Sequence, residues 1–154
     1  MTTETVRRHL SRFGVEERIR TLDSDTKTVP RAAEAIGVEP DRIVKTLAVR
    51  VKGKNRVLAI AVKGTARLDN AKFKKTFGGK AGFIAAGECL ELTGHPPGGV
   101  CPFGLKEGVE IYLDESLRDF GIVYPAAGAA DNCIAAAIGE LEIWSGGEWI
   151  DVCV

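Results

Sequence analysis

Along the first third of the chain the apolar residues change spacing repeatedly, and each change marks an element. Val6, Leu10 and Phe13 recur at helical intervals, so residues 3–13 read as an amphipathic helix that Gly14 stops. Ile19-Arg20-Thr21-Leu22 reads as a short strand. Residues 28–37 predict a compact helix, with Thr28 as cap, Pro30 near the first turn and Gly37 at the carboxyl end. Pro40-Asp41 then turns the chain, and two β-rich runs, 43–51 and 56–63, joined by Lys52-Gly53-Lys54-Asn55, predict a hairpin.

The pattern stays mixed further on. Ala71–Phe77 reads as a basic helix capped by Asp69 or Asn70 and ended by Gly78-Gly79, and a second helix covers about 86–92. Strands are expected near 109–113, 122–124 and 132–137, an Ala/Gly loop over 126–131, a short helix from Ile138 and a last strand over 148–153. Helices interspersed with hairpin-length connections define an α+β fold around a mixed, largely antiparallel sheet with several surrounding helices.

Composition narrows the class. The 154 residues suit one domain, 1–154, and 45% hydrophobic with 27% charged residues is ordinary for a soluble globular protein. No apolar run approaches a membrane span, and the amino-terminal residues lack the apolar core of a secretory signal, so the expected location is the cytoplasm, with no membrane partner. Cys89, Cys101, Cys133 and Cys153 contain no Cys-x-x-Cys pair, and the two histidines are His9 and His95; neither a zinc site nor a redox dithiol is supported, and no cofactor is expected. The net charge of zero hides a division: residues 1–80 carry 19 Lys and Arg against 9 Asp and Glu, a net of +10, whereas residues 81–154 carry 2 against 12, a net of −10. Either the basic half forms a face that attracts a polyanion, or the two halves interleave and pair their charges.

Three segments carry candidate chemistry. In Ile43-Val44-Lys45-Thr46-Leu47, alternation puts Lys45 on an apolar strand face, where an ammonium is costly unless an anion or strong acceptor meets it; the bland reading is a lysine snorkelling at a sheet edge. The glycines and prolines of Thr93–Leu105 specify a shaped backbone that can aim main-chain amides at a ligand, or else merely a turn. The loop Ala126-Ala127-Gly128-Ala129-Ala130-Asp131 leaves room for a close approach, or serves as a tight hairpin.

In order and spacing these segments resemble the YbaK/EbsC family of prolyl-tRNA editing domains, from about Val6 to the carboxyl terminus. The best markers are Val44-Lys45-Thr46-Leu47 and the Thr-Gly-x-x-x-Gly-Gly-x-x-Pro-x-Gly pattern that begins at Thr93. The resemblance implies hydrolysis of the ester joining a wrong amino acid to tRNA, most often tRNA for proline. The chain reads as a free-standing, trans-acting deacylase that removes a small residue such as alanine, cysteine or serine, with the tRNA and prolyl-tRNA synthetase as partners. It implies a catalytic set of Lys45, Gly98, Gly99 and Pro102, the glycine loop presenting amides to the ester carbonyl or to a water, and a substrate-assisted route in which a ribose hydroxyl of the terminal adenosine helps to orient the attacking water. Thr46, His95, Val100, Cys101, Gly128 and Asp131 are the candidate substrate-binding residues. His95, beside two prolines, is a loop or pocket residue or a general base, and Cys101 is a small wall-forming residue or a nucleophile. Arg67, Lys72, Lys74 and Lys75 are candidate tRNA phosphate contacts, or a solvated face. Trp144 and Trp149 are expected in the core. The alternative function is a non-catalytic module that binds tRNA or an aminoacyl group.

Overall fold

A computed structural model describes residues 2–22 and 28–154. The elements are α1 (Thr2–Ser11), β1 (Arg20–Thr21), α2 (Val29–Ile36), β2 (Val44–Val51), β3 (Val57–Lys63), α3 (Asn70–Phe77), β4 (Ala81–Phe83), α4 (Ala86–Thr93), β5 (Glu110–Asp114), β6 (Ile122–Val123), β7 (Asn132–Cys133), β8 (Ala136–Ala137), α5 (Ile138–Ser145) and β9 (Glu148–Ile150). The central sheet has the order β4-β2-β3-β5-β9; β2 is antiparallel to β3 and β4, whereas β3–β5 and β5–β9 are parallel. Two small antiparallel pairs, β1–β7 and β6–β8, complete the α+β architecture.

Local chemistry explains the best-defined helices. Thr28 Oγ1 accepts from the Arg31 amide at 3.4 Å at the start of α2, and Asp69 Oδ1 accepts from the Lys72 amide at 3.0 Å at the start of α3, each satisfying an amide that the first turn leaves without a helical partner. In the β2–β3 hairpin Lys45 faces Val62, Leu47 faces Ile60 and Val49 faces Leu58. That register puts Lys45 at the end of an apolar row, Leu47, Val49 and Val51, which α3 covers with Phe73 and Phe77. The opposite sheet face packs Val44, Ala61 and Leu113 against Val6 and Leu10 of α1 and Leu141 and Trp144 of α5. Trp144 is buried and Trp149 packs partly buried against the same cluster.

Several expected boundaries shift. The amino-terminal helix ends at Ser11, short of Phe13. The strand expected over 132–137 divides, because Asn132-Cys133 pairs with β1 while Ala136-Ala137 pairs with β6. The last strand stops at Ile150; Cys153 instead forms an isolated bridge with Leu68. β4, three residues containing a glycine, carries too short a pattern to be read from sequence, yet it pairs with Val49–Val51.

The charge division is partly neutralised by packing. Arg18–Glu140, Arg50–Glu88, Arg56–Glu110 and Lys72–Asp151 pair the basic half with the acidic half, at 2.8, 3.4, 2.6 and 2.9 Å. Lys74 and Lys75 stay exposed with no ion-pair partner among the described residues.

Candidate active site

The site lies where β2 begins. On one side α2 packs Ala32 and Ala33 against Ile43, joined by Val29, Ile36 and Tyr124; on the other side two loops approach. A cavity of about 160 Å³ opens among them, lined by Lys45 and Thr46 of β2, by Val29, Ala32 and Ile36 of α2, by Gly98 and Val100, and by Tyr124, Ala126 and Asn132. That is well below the roughly 300–1,000 Å³ of a pocket that takes a drug-sized ligand. A small apolar or weakly polar group suits it.

α2 can lie this close because residue 64 has no side chain. A Cβ on Gly64 would stand 2.2 Å from the Pro40 carbonyl oxygen and 2.7 Å from Val29 Cγ1. A hydrogen bond from Thr65 Oγ1 to the Asp41 carboxylate holds the same junction. A lone glycine after a strand announces a turn and not a contact, so nothing in the sequence marks Gly64.

Lys45 is half-buried, and its Nζ donates to the Ala66 carbonyl at 2.8 Å. An ammonium has three N–H donors, so this bond fixes its direction and leaves two without a partner among the described residues. Ala66 belongs to a segment strapped to the carboxyl end of the chain: the Asp69 amide donates to the Val152 carbonyl at 2.7 Å and the Val154 amide to the Arg67 carbonyl at 2.9 Å. Asp114 anchors that strap, accepting from the Val152 amide at 2.9 Å. Beside it, burial and the Asp114 carboxylate push the Cys153 thiol up to about 12, against a smaller opposing influence of Lys45.

The Gly/Pro loop is built on a turn. The Gly99 amide donates to the Pro96 carbonyl at 2.9 Å with Gly98 left-handed at φ +81°, as the third position of a type II turn requires. The turn takes up the Gly99 N–H. Gly98 and Val100, on the cavity wall, keep amides without a partner among the described residues.

Other candidates sit behind this wall. His95 is fully buried, and its Nε2 lies 2.7 Å from the Phe103 carbonyl, which assigns the proton to Nε2. Burial lowers its pKa, and Nδ1 has no partner among the described residues. Cys101 Sγ is 3.7 Å from the same Nε2 and donates to the same carbonyl at 3.4 Å. With its Nε2 proton turned to that carbonyl, the imidazole offers the thiol no lone pair. Burial moreover pushes the Cys101 thiol up to about 12, so it is not poised as a thiolate. Pro102 is buried, and neither it nor Gly99, His95 or Cys101 lines the cavity.

In the second loop Gly128 is left-handed, at φ +97°. Asp131 points to solvent, and its main-chain carbonyl accepts from the Leu22 amide at 2.6 Å. Of the proposed phosphate contacts, Arg67, Lys74 and Lys75 are exposed, whereas Lys72 Nζ is held by Asp151 at 2.9 Å and by the Cys153 carbonyl at 2.8 Å. Among the described residues no group of His, Cys, Asp and Glu could hold a metal ion, and no helix is long and apolar enough to cross a membrane.

Comparison with known proteins gives this geometry its class. Residues 23–142 match the model of the aminoacyl-tRNA editing domain, and the chain belongs to that family; the editing that defines it is hydrolysis of the aminoacyl-tRNA ester. The chain is 42% identical to the uncharacterized protein YwhH of Bacillus subtilis (strain 168), over 99% of this chain and 98% of that one. It is 32% identical, over 68% of this chain and 63% of the other, to EbsC of Enterococcus faecalis, described as a candidate Cys-tRNA(Pro)/Cys-tRNA(Cys) deacylase. It is 29% identical to the proline–tRNA ligase of Trichlorobacter lovleyi, where 93% of this chain spans 30% of the ligase. A solved structure described as a candidate trans-editing enzyme for prolyl tRNA synthetase superposes with a TM-score of 0.88 at 30% identity, covering 99% of this chain and 97% of that one.

Proposed function

We propose that the chain acts in trans as a deacylase of misacylated tRNA for proline, removing a small non-cognate residue such as alanine, cysteine or serine. The observation that carries this reading is the small cavity lined by a directed ammonium, Lys45 tethered to the Ala66 carbonyl, and by Gly98 and Val100, whose amides have no partner among the described residues. An aminoacyl side chain enters between α2 and the loops, and Lys45 and those amides meet the ester carbonyl. Donors fixed before reaction stabilise an oxyanion as charge develops, in a site partly shielded from water. In the proposed route the ribose hydroxyl of the terminal adenosine orients the attacking water.

Size alone sets limited selectivity, since one methylene in an apolar pocket is worth only about 1–3 kcal/mol. Recognition of the tRNA supplies the remainder. Arg67, Lys74 and Lys75 are the proposed phosphate contacts, and prolyl-tRNA synthetase, whose relatives contain this domain within a longer chain, is the proposed partner, in the cytoplasm. The test is ester loss from proline tRNA charged in turn with proline, alanine, cysteine and serine. Acceleration confined to one or more small non-cognate residues supports the assignment, and equal rates for all four, at the spontaneous value, refute it.

A further inference from the structure

Asn132, which closes the Ala/Gly segment of the family resemblance, is the best-connected polar side chain of the cavity wall. It is 4% exposed, at the start of β7. Its Oδ1 accepts from the Ala127 amide at 3.1 Å and from the Ala129 amide at 3.2 Å, while its Nδ2 donates to the Ala127 carbonyl at 3.1 Å. One planar group thus pairs with both main-chain groups of Ala127, as a neighbouring strand would, and spans the left-handed Gly128 to reach Ala129. Only an amide carries donor and acceptor side by side in this way; a carboxylate loses the donor and a short hydroxyl loses the reach.

The clamped loop faces the site, since Ala126 and Asn132 both line the cavity, with Val100 of the other loop. We propose that Asn132 is a positioning residue: its side-chain amide fixes the 126–130 loop and so holds the wall that Ala126 presents to the aminoacyl group. The kinetic part of this proposal rests on the function proposed above. The mechanical part does not.

Two measurements separate them. Residue-resolved hydrogen exchange on the wild-type chain should show the Ala127 and Ala129 amides protected at least tenfold over the Gly53 and Asn55 amides of the exposed turn, which have no hydrogen-bond partner among the described residues. In Asn132→Ala that protection should be lost while the β2–β3 amides stay protected. In Asn132→Asp the two amides should keep an acceptor while the Ala127 carbonyl loses its donor and faces a carboxylate. On misacylated tRNA, both variants should lower kcat by about 10–100-fold, the scale of a roughly 1 Å misplacement, with KM for tRNA changing less than about threefold, since phosphate contacts lie elsewhere. The ratio of alanyl to 2-aminobutyryl hydrolysis should also move. Wild-type Ala127 and Ala129 amides that exchange as fast as the exposed turn overturn the clamp whether or not any variant folds. An active wild type whose folded variants keep kcat and that ratio overturns the positioning role. If the wild type hydrolyses nothing, the function fails, and the exchange data still decide the clamp.

Discussion

Gly64→Ala tests the close approach on which the cavity depends. The added Cβ would lie 2.2 Å from the Pro40 carbonyl oxygen, 2.7 Å from Val29 Cγ1 and 3.1 Å from the Ile43 carbonyl oxygen. Two of these three atoms are main chain and cannot rotate away, so relief requires the Pro40 turn and the start of β2 to separate by several tenths of an ångström or more. Overpacking of this kind costs about 1–3 kcal/mol, and the upper part of that range applies where backbone must move. Restricting the unfolded chain returns only about 0.4–1 kcal/mol. The net loss is then about 2 kcal/mol, which for a domain of this size lowers Tm by roughly 4–8 °C. Gly139→Ala is the control: it lies in α5 and its Cβ would meet nothing within 4 Å, so the same gain of up to about 1 kcal/mol appears with no steric cost. Urea unfolding with matched m-values, beside thermal scans, measures both variants. Because Val29 and Ile43 line the cavity, Gly64→Ala should also slow hydrolysis at temperatures where it stays folded. If Gly64→Ala proves as stable as Gly139→Ala, the tight junction between β3 and α2 is wrong.

Stability should depend on the two histidines. Burial lowers the pKa of both His9 and His95 from 6.5, and Arg12 adds a smaller lowering to His9; the unfolded chain therefore binds more protons, and stability should fall as pH drops below about 6.5 until the native imidazoles protonate. Glu110 and Glu140, held below the usual carboxylate range by Arg56 and Arg18, lose their contribution only at more acid pH. His9 sets its Nε2 2.6 Å from the Trp144 carbonyl and accepts from the Gly104 amide through Nδ1. His9→Gln can keep both bonds without titrating, so urea unfolding from pH 8 to 5 should show a shallower loss; an unchanged profile would count against this role. Cys101→Ser and chelator treatment should each leave substantial deacylation, and abolition by the serine variant in a folded protein would restore the thiol as nucleophile. Lys74→Ala with Lys75→Ala should reduce the log–log salt slope of tRNA binding by up to roughly 0.7–0.9 for each phosphate no longer neutralised, whereas Lys72→Ala should mainly lower stability; an unchanged slope in the double variant would turn α3 away from the RNA.

Signals are legible in the sequence where they act locally. Thr28 and Asp69 announce their helices because an N-cap hydroxyl or carboxylate bonds an amide three residues on. The β2–β3 hairpin follows from alternation, and so does the row in which Lys45 stands. What stays hidden is made at long range. The parallel pairing of β3 with β5 joins Leu58 to Glu110 across a crossover, and no residue on either strand names its partner. Lys72 reads as a free cation on a basic helix because Asp151 and Cys153 lie far along the chain. At the site, Lys45, Thr46, Gly98 and Val100 reach the cavity, but Gly99, His95, Cys101 and Pro102 support it from behind. The Gly/Pro spacing shows that the loop is shaped, and cannot show which of its residues face inward. The roles of Gly64 and the Ala66 carbonyl have no local signature, since each matters through contacts that only the fold brings near.

The most direct test of the account is the single-turnover rate of alanine and cysteine ester hydrolysis on proline tRNA, compared between the wild-type chain and a folded Lys45→Ala variant. The wild type should show rapid ester loss and spare correctly charged prolyl-tRNA, and Lys45→Ala should lose most activity with little change in Tm. Near-normal hydrolysis by Lys45→Ala would contradict the central role of the ammonium held at Ala66; binding of the tRNA by the wild type without hydrolysis of any aminoacyl ester would leave a binding module in place of an enzyme.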